Sequence, residues 1–285
     1  MMSTDDNTMI IIGGGVGPMA GIALHRKIVE KTPAPEGDHQ HIGVVHISLS
    51  RHIPDRTEYL MHRRGPNSGK VMAEFVAKIA ASFAHLYSDF LVGVPCNTFH
   101  AEAIYGTYLE VLTREEAALH RIRPINMIDA TLEYIRSLGI PRKNVGLLST
   151  TGTRRSGVWR TALEKEGFAV FEPPPEEQDH VHEIIYSNAW GIKSIWPPTE
   201  EARRRLGHYL AGLEKRGVEL IILGCTELPL AAPPDWSGPI LVDPVDCLAN
   251  SLVEARARSR TDRPGDAPGV LGDDPAAVCR TISRK

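Results

Sequence analysis

Several things are scarce in this sequence, and each scarcity excludes something. Its 285 residues contain only four cysteines, Cys96, Cys225, Cys247 and Cys279, widely spaced and without a CxxC pair. That pattern argues against a disulfide framework or a structural zinc site and fits reduced thiols. No apolar run reaches the roughly eighteen residues of a membrane-spanning helix. Neither sign of charge is in excess: 32 Lys and Arg stand against 35 Asp and Glu, a formal net charge of -3. There is no basic stripe for a nucleic-acid backbone and no polybasic segment for a membrane surface. The opening residues, MMSTDDNT, lack the basic and apolar regions of a secretory signal. The expectation is a cytoplasmic protein whose partner is a small molecule or another protein, with no nucleic acid and no membrane.

What is present is alternation. Apolar runs at 9–12, 42–48, 90–94 and 124–127 are interleaved with amphipathic segments at 17–31, 69–87 and 99–120. The second half restarts the pattern, with strands at 144–148, 168–171, 219–223 and 240–242 and helices at 156–166, 176–189, 199–215 and 245–258. Such βαβα order predicts an α/β protein with mostly parallel sheets flanked by helices. Beyond Arg260 the chain is rich in Pro, Gly, Asp and Arg and reads as a mobile tail.

The halves echo each other. MIIIGGGVGP and VGLLSTTGT each run from strand to small or hydroxyl-rich turn to helix, and DFLVGVPCNT and ELIILGCTEL each end a strand on Cys with Thr nearby. This suggests two related domains facing each other across a cleft, each supplying one cysteine. Ligands of open α/β sheets bind at the carboxyl ends of the strands, where Cys96 and Cys225 fall. A lone cysteine there reads most simply as a small core residue; two at equivalent places suit stereoinversion at a carbon acid. One thiolate removes the Cα proton and the opposed thiol protonates the other face. Such chemistry needs no metal or organic cofactor if fixed donors stabilise the carboxylate as charge develops. Asn97, Thr98, Thr150, Thr153 and Thr226 are the candidate donors, although any single Thr could equally be a helix cap.

Other features stay open. GGGVGPMAG, residues 13–21, contains Gly15-x-Gly17-x-x-Ala20 after a strand. Pro18 in the turn and the lack of an acidic residue after the next strand weaken a dinucleotide site, and a tight turn near a small carboxylate explains the glycines as well. In RHIPDRTEY, Arg56 could clamp a substrate carboxylate, or Asp55 could cap a short helix and pair with Arg56. His100 could serve Cys96 as a base or play a supporting part near the helix start. His39-x-His41 and His180-x-His182 lack a third ligand at a recognisable spacing. Cys247 and Cys279 read as non-functional.

Taken together and in this order, GGGVGPMAG, HIPDRTEYL, VPCNTFHA, LLSTTGT, LGCTELPL and DPVD resemble the cofactor-independent aspartate/glutamate racemase superfamily, in particular its aspartate-racemase branch. The resemblance runs from about residue 9 to 258. It implies two pseudo-symmetric domains, here 1–125 plus 240–260 and 126–239, with 261–285 as tail, an active site in the interdomain cleft, and a homodimer. It makes Cys96 and Cys225 the acid/base pair, puts Asn97, Thr98, Thr150, Thr153 and Thr226 around the substrate carboxylate, and gives Arg56 a substrate contact. Aspartate and glutamate are then the leading substrates. Relatives that decarboxylate arylmalonates keep one cysteine, whereas this chain has both. Three departures stand out: Asp179 occupies the place of a Lys expected to hold the second carboxylate, Ser50-Arg51-His52 replaces Asn-Pro-Gln, and Gly21 replaces a Thr. Two other readings fit the same residues: a maleate-type cis-trans isomerase using one cysteine as nucleophile, and a small-molecule-binding relative without turnover.

Overall fold

The computed structural model describes residues 7–35, 37–114, 121–140 and 144–261. The expected tail, with Cys279, lies almost wholly outside the described residues.

Two four-stranded parallel sheets carry the chain. The first is built from β1 (Thr8–Gly13), β2 (Val44–Ile47), β3 (Asp89–Gly93) and β4 (Arg121–Ile125), in the order β2-β1-β3-β4. The second uses β5 (Asn144–Ser149), β6 (Ala169–Phe171), β7 (Leu220–Gly224) and β8 (Ile240–Val242), in the order β6-β5-β7-β8. Identical strand order gives the internal echo its structural meaning: β3 in one sheet and β7 in the other hold equivalent central positions. Central strands are covered on both faces, so they read as continuous apolar runs. In β1, Met9 and Ile11 pack into one cluster with Val92, while Ile10 and Ile12 pack into another with Leu91. Each of these isoleucines is fully buried, worth about 1.5–3 kcal/mol apiece relative to exposure.

The helices adjust the expected boundaries. The first, α1 (Pro18–Lys31), starts with Pro, whose missing N–H costs nothing at a helix N-terminus. A short helix, α2 (Arg56–His62), follows Asp55, which accepts the Glu58 N–H as its cap, and α3 covers Ser68–Phe83. The segment expected as one helix over 99–120 begins as a 3-10 turn, Asn97–His100, before α4 (Glu102–Leu112); residues 115–120 lie outside the described ones. Next comes α5 (Met127–Ser137), which the sequence reading did not anticipate although Asn126 caps it and Ile128, Leu132 and Ile135 keep helical spacing. The helix expected over 156–166 is α7 (Val158–Lys165), preceded by a short helix not expected there, α6 (Thr151–Ser156); the two are parted at Gly157, whose φ of 68 lies in the left-handed region. Then come α8 (Gln178–Tyr186), α9 (Glu200–Glu214) and α10 (Pro244–Thr261). Among the described residues no helix is long and apolar enough to cross a membrane.

The expected division at residue 240 needs correction. Strand β8 pairs with β7 and so belongs to the second sheet. Helix α10, which follows at once, crosses back: Val245, Leu248, Ala249 and Leu252 join Leu24 and Ile28 of α1 on the first sheet. The crossing is pinned by charge. Lys27 Nζ lies 3.3 Å from Asp243 and 3.0 Å from Asp246, and Lys31 Nζ is 3.1 Å from Asp246. Asp243 also accepts the Val245 N–H at 2.8 Å at the start of α10.

Candidate active site

Cys96 and Cys225 emerge where β3 and β7 end, and both open onto one small cavity between the two sheets. The six other residues singled out from the sequence, Arg56, Asn97, Thr98, Thr150, Thr153 and Thr226, line the same cavity. Val16, Tyr186, Lys193, Gly224 and Glu227 complete the wall.

The wall around Cys96 is held from both halves. Asn97 Oδ1 accepts the indole N–H of Trp159 at 2.9 Å. Its Nδ2, in a residue only 2% exposed, has no hydrogen-bond partner among the described residues. Trp159 thereby orients the amide with a donor in reserve. Thr98 and Thr153 share a 2.7 Å hydrogen bond across the cleft, and Thr153 and Thr150 share another at 2.9 Å. Thr150 also caps α6 by accepting the Thr153 N–H at 3.2 Å. Capping and a place in the cavity wall therefore coexist. Behind Cys96, His100 Nδ1 lies 2.9 Å from the Cys96 carbonyl oxygen and its Nε2 accepts the Met127 N–H at 3.3 Å. Those two bonds place the proton of the neutral ring on Nδ1. Burial drives the His100 pKa down to about 4, even though the bond to Cys96 works the other way. His100 is a buried brace outside the cavity.

Arg56 is aimed by backbone. Its Nη2 donates to Val16 O at 2.6 Å and its Nη1 to Pro54 O at 3.3 Å, leaving a buried Nε–H without a partner among the described residues. Burial disfavours its charge, but the facing Cys96 sulfur, Tyr186 and Asp55 outweigh burial and raise its pKa. Asp55 does cap α2, as one reading had it, yet the guanidinium hydrogen-bonds to carbonyls and faces Cys96.

On the opposite wall Glu227 is the hub. Its Oε2 accepts the Cys225 S–H at 3.0 Å and the Thr226 hydroxyl at 3.1 Å, and its Oε1 pairs with Lys193 Nζ at 2.8 Å. Burial opposes ionisation of Glu227, but Lys193 and the hydrogen bonds from Cys225, Lys193 and Thr226 hold its pKa below the usual range. Burial would likewise lower Lys193, yet Glu227 raises it. Cys225 is pushed well up, first by burial and then by the Glu227 charge, with Lys193 only partly offsetting this. Tyr186 bridges the walls, within electrostatic reach of both sulfurs, and burial pushes its phenol up to about 12.

The glycine turn now has a cause. Gly15 adopts φ 80, and a Cβ there would press on the Leu49 backbone, while a Cβ at Gly17 would collide with Glu227 Oε1. The turn lets the first half's backbone close on a carboxylate of the second half. Asp179, which stood in place of the expected Lys, is exposed at the start of α8 and outside the cavity. The same segment instead returns a cation through Lys193, whose side chain is 22% exposed. Sequence reasoning missed Lys193, Tyr186 and Glu227. Only Glu227 had a local signal, its place two residues after Cys225 in GCTE.

A family model for Asp/Glu/hydantoin racemases matches residues 14–252. Picrophilus torridus aspartate racemase superposes with a TM-score of 0.63 at 26% identity, covering 90% of this chain and 95% of that one. Glutamate racemase from Francisella tularensis subsp. tularensis SCHU S4, solved with D-glutamate, superposes at 0.56 with 16% identity, over 90% of this chain and 83% of that one, a likeness of fold. A glutamate racemase from Geobacter metallireducens is 28% identical over 167 residues, 58% of this chain, and the match spans about half of that relative's length (54%).

Proposed function

The chain belongs to the Asp/Glu/hydantoin racemase family, and from that premise we propose that it is an amino-acid racemase, independent of pyridoxal phosphate, that inverts Cα with Cys96 and Cys225 and takes an acidic amino acid as its leading substrate. The observation that carries the reading is the opening of both sulfurs onto one cavity from equivalent strand ends. A substrate bound between them presents opposite faces of Cα to the two thiols. One sulfur, as thiolate, takes the Cα proton; the other, as thiol, delivers its own proton to the far face, and the return reaction exchanges the roles.

Removing the proton moves charge onto the substrate carboxylate, which is where the site must stabilise it. Asn97 Nδ2, without a hydrogen-bond partner among the described residues, supports this reading as a donor already in place, and the Thr98, Thr150 and Thr153 hydroxyls, bonded to one another, can redirect to an anion without moving backbone. Substrate binding also expels water from a cavity where fixed dipoles then act in a low dielectric.

Two features favour an acidic side chain. Two cations, Arg56 and Lys193, stand in the wall against one carboxylate, Glu227, that Lys193 already pairs with, and the exposed Asp179 does not oppose a second carboxylate there. A homodimer and a cytoplasmic location belong to the same proposal, the first open to sedimentation analysis of the purified chain.

The test is hydrogen exchange at Cα. Incubation with L- and D-aspartate, L- and D-glutamate and a panel of other amino acids in D2O, followed by proton NMR, should show loss of the Cα–H signal and formation of the opposite enantiomer. Cys96→Ala and Cys225→Ala should each abolish racemisation. No exchange with any amino acid, or full racemisation by either variant, overturns the two-thiol reading. A covalent adduct of maleate at one cysteine without Cα exchange would favour the isomerase alternative.

A further inference from the structure

The two sulfurs are alike in exposure, 9% for Cys96 and 7% for Cys225, but not in company. Cys225 donates its S–H to Glu227 Oε2 at 3.0 Å, and Glu227 is kept anionic by Lys193 at 2.8 Å on its other oxygen. A thiolate at Cys225 would face that carboxylate with no proton between them, an arrangement of like charges in a buried site. Cys96 faces the guanidinium of Arg56, which is fixed by two carbonyls, and no carboxylate is hydrogen-bonded to Cys96 among the described residues. We propose that Glu227 is a positioning residue that keeps Cys225 as the hydrogen-bearing thiol in the free protein, so that the first Cα proton is taken by Cys96, opposite Arg56.

This deepens the two-thiol reading and rests on it for its consequence in turnover. The free protein is ready for the enantiomer whose Cα–H faces Cys96. In that direction Cys96 gains the Cα proton and Cys225 loses its own, so product leaves behind a Cys96 thiol and a Cys225 thiolate. Resetting takes one proton from water onto Cys225 and releases one from Cys96 to water. The form left behind is the one Glu227 disfavours, so resetting is downhill. Lys193 contributes through Glu227: its ammonium, engaged on Oε1 at 2.8 Å, keeps the carboxylate charged and only partly offsets its effect on Cys225.

Thiol labelling reads this out without any turnover. The full-length protein is treated with limiting iodoacetamide between pH 6 and 10, quenched, digested, and the Cys96 and Cys225 peptides are quantified by mass spectrometry. With near-equal exposure, the labelling ratio reports ionisation. Cys96 should be labelled at least tenfold faster than Cys225 at pH 7, and the ratio should shrink as pH rises. Glu227→Gln removes the opposing charge and frees Lys193, so Cys225 labelling at pH 7 should rise at least tenfold while that of Cys96 changes less than twofold. Equal labelling of the two cysteines at pH 7 overturns the proposal, as does a folded Glu227→Gln protein whose Cys225 is labelled no faster. If that variant does not fold, the ratio in the unmodified protein decides alone. Asymmetric labelling in a protein that exchanges no Cα proton would keep this assignment and discard the racemase reading; exchange with symmetric labelling would do the reverse.

Discussion

Lowering the pH from 7 to 5 should weaken this protein through one identifiable side chain. His100 is neutral and enclosed, donating from Nδ1 to the Cys96 carbonyl and accepting the Met127 N–H on Nε2, and its pKa falls from the ordinary 6.5 to about 4, chiefly by burial. A histidine whose folded pKa is depressed binds its proton more readily in the unfolded chain. Its contribution is therefore intact above pH 6.5 and lost as pH falls toward 4. Working the linkage with those two values gives a loss of about 2 kcal/mol at pH 5 and about 3 kcal/mol at pH 4, relative to pH 7. His46 and His182 are also lowered, by burial first, so an acid-induced loss alone is not diagnostic. The diagnostic quantity is the stability gap between the wild type and His100→Gln. Gln does not titrate, so urea unfolding followed by circular dichroism should show a gap at pH 7 that narrows by about 2 kcal/mol at pH 5. A gap constant over that range would refute the assignment of His100 as the neutral brace.

Trp159→Phe removes the indole donor from Asn97 Oδ1 in a fully buried setting. It should cost about 1–3 kcal/mol in urea unfolding and lower kcat about tenfold, since the amide loses the bond that fixes its orientation. Lys193→Met leaves Glu227 without its ion-pair partner; with an acidic substrate KM should rise tenfold or more, whereas a neutral amino acid, if turned over, should be affected less. Lys27→Met deprives the buried Asp243, whose pKa burial already raises, of its paired ammonium. A loss of about 3–5 kcal/mol in urea unfolding is expected, with Lys27→Arg retaining most of the stability.

Much of the architecture was legible in the sequence for a simple reason: strands buried on both faces must be apolar runs, and parallel strands need helical crossovers. The runs at 9–12, 90–94, 144–148 and 219–223 therefore announced β1, β3, β5 and β7, and the repeated order announced two related sheets. Where local rules compete, reading failed. The short α6 before Gly157 went unread, α5 was overlooked despite its Asn126 cap, and β8 was assigned to the wrong sheet because three residues cannot reveal which neighbour they pair with. For the cavity, strand-end chemistry located Cys96 and Cys225, with their adjacent Asn and Thr, because the carboxyl ends of parallel strands converge on one edge whatever the side chains are. Lys193, Tyr186 and Glu227 could not be found that way. Their place in the wall depends on how a loop after α8 folds back and how the Gly17 backbone closes on a carboxylate, and both are long-range contacts with no periodicity to betray them. By itself, the sequence determined that two cysteines would end equivalent strands. Only the tertiary structure decided that one of them would meet a carboxylate and the other a guanidinium, since charges set each other's state by distance in space, and distance along the chain does not encode it.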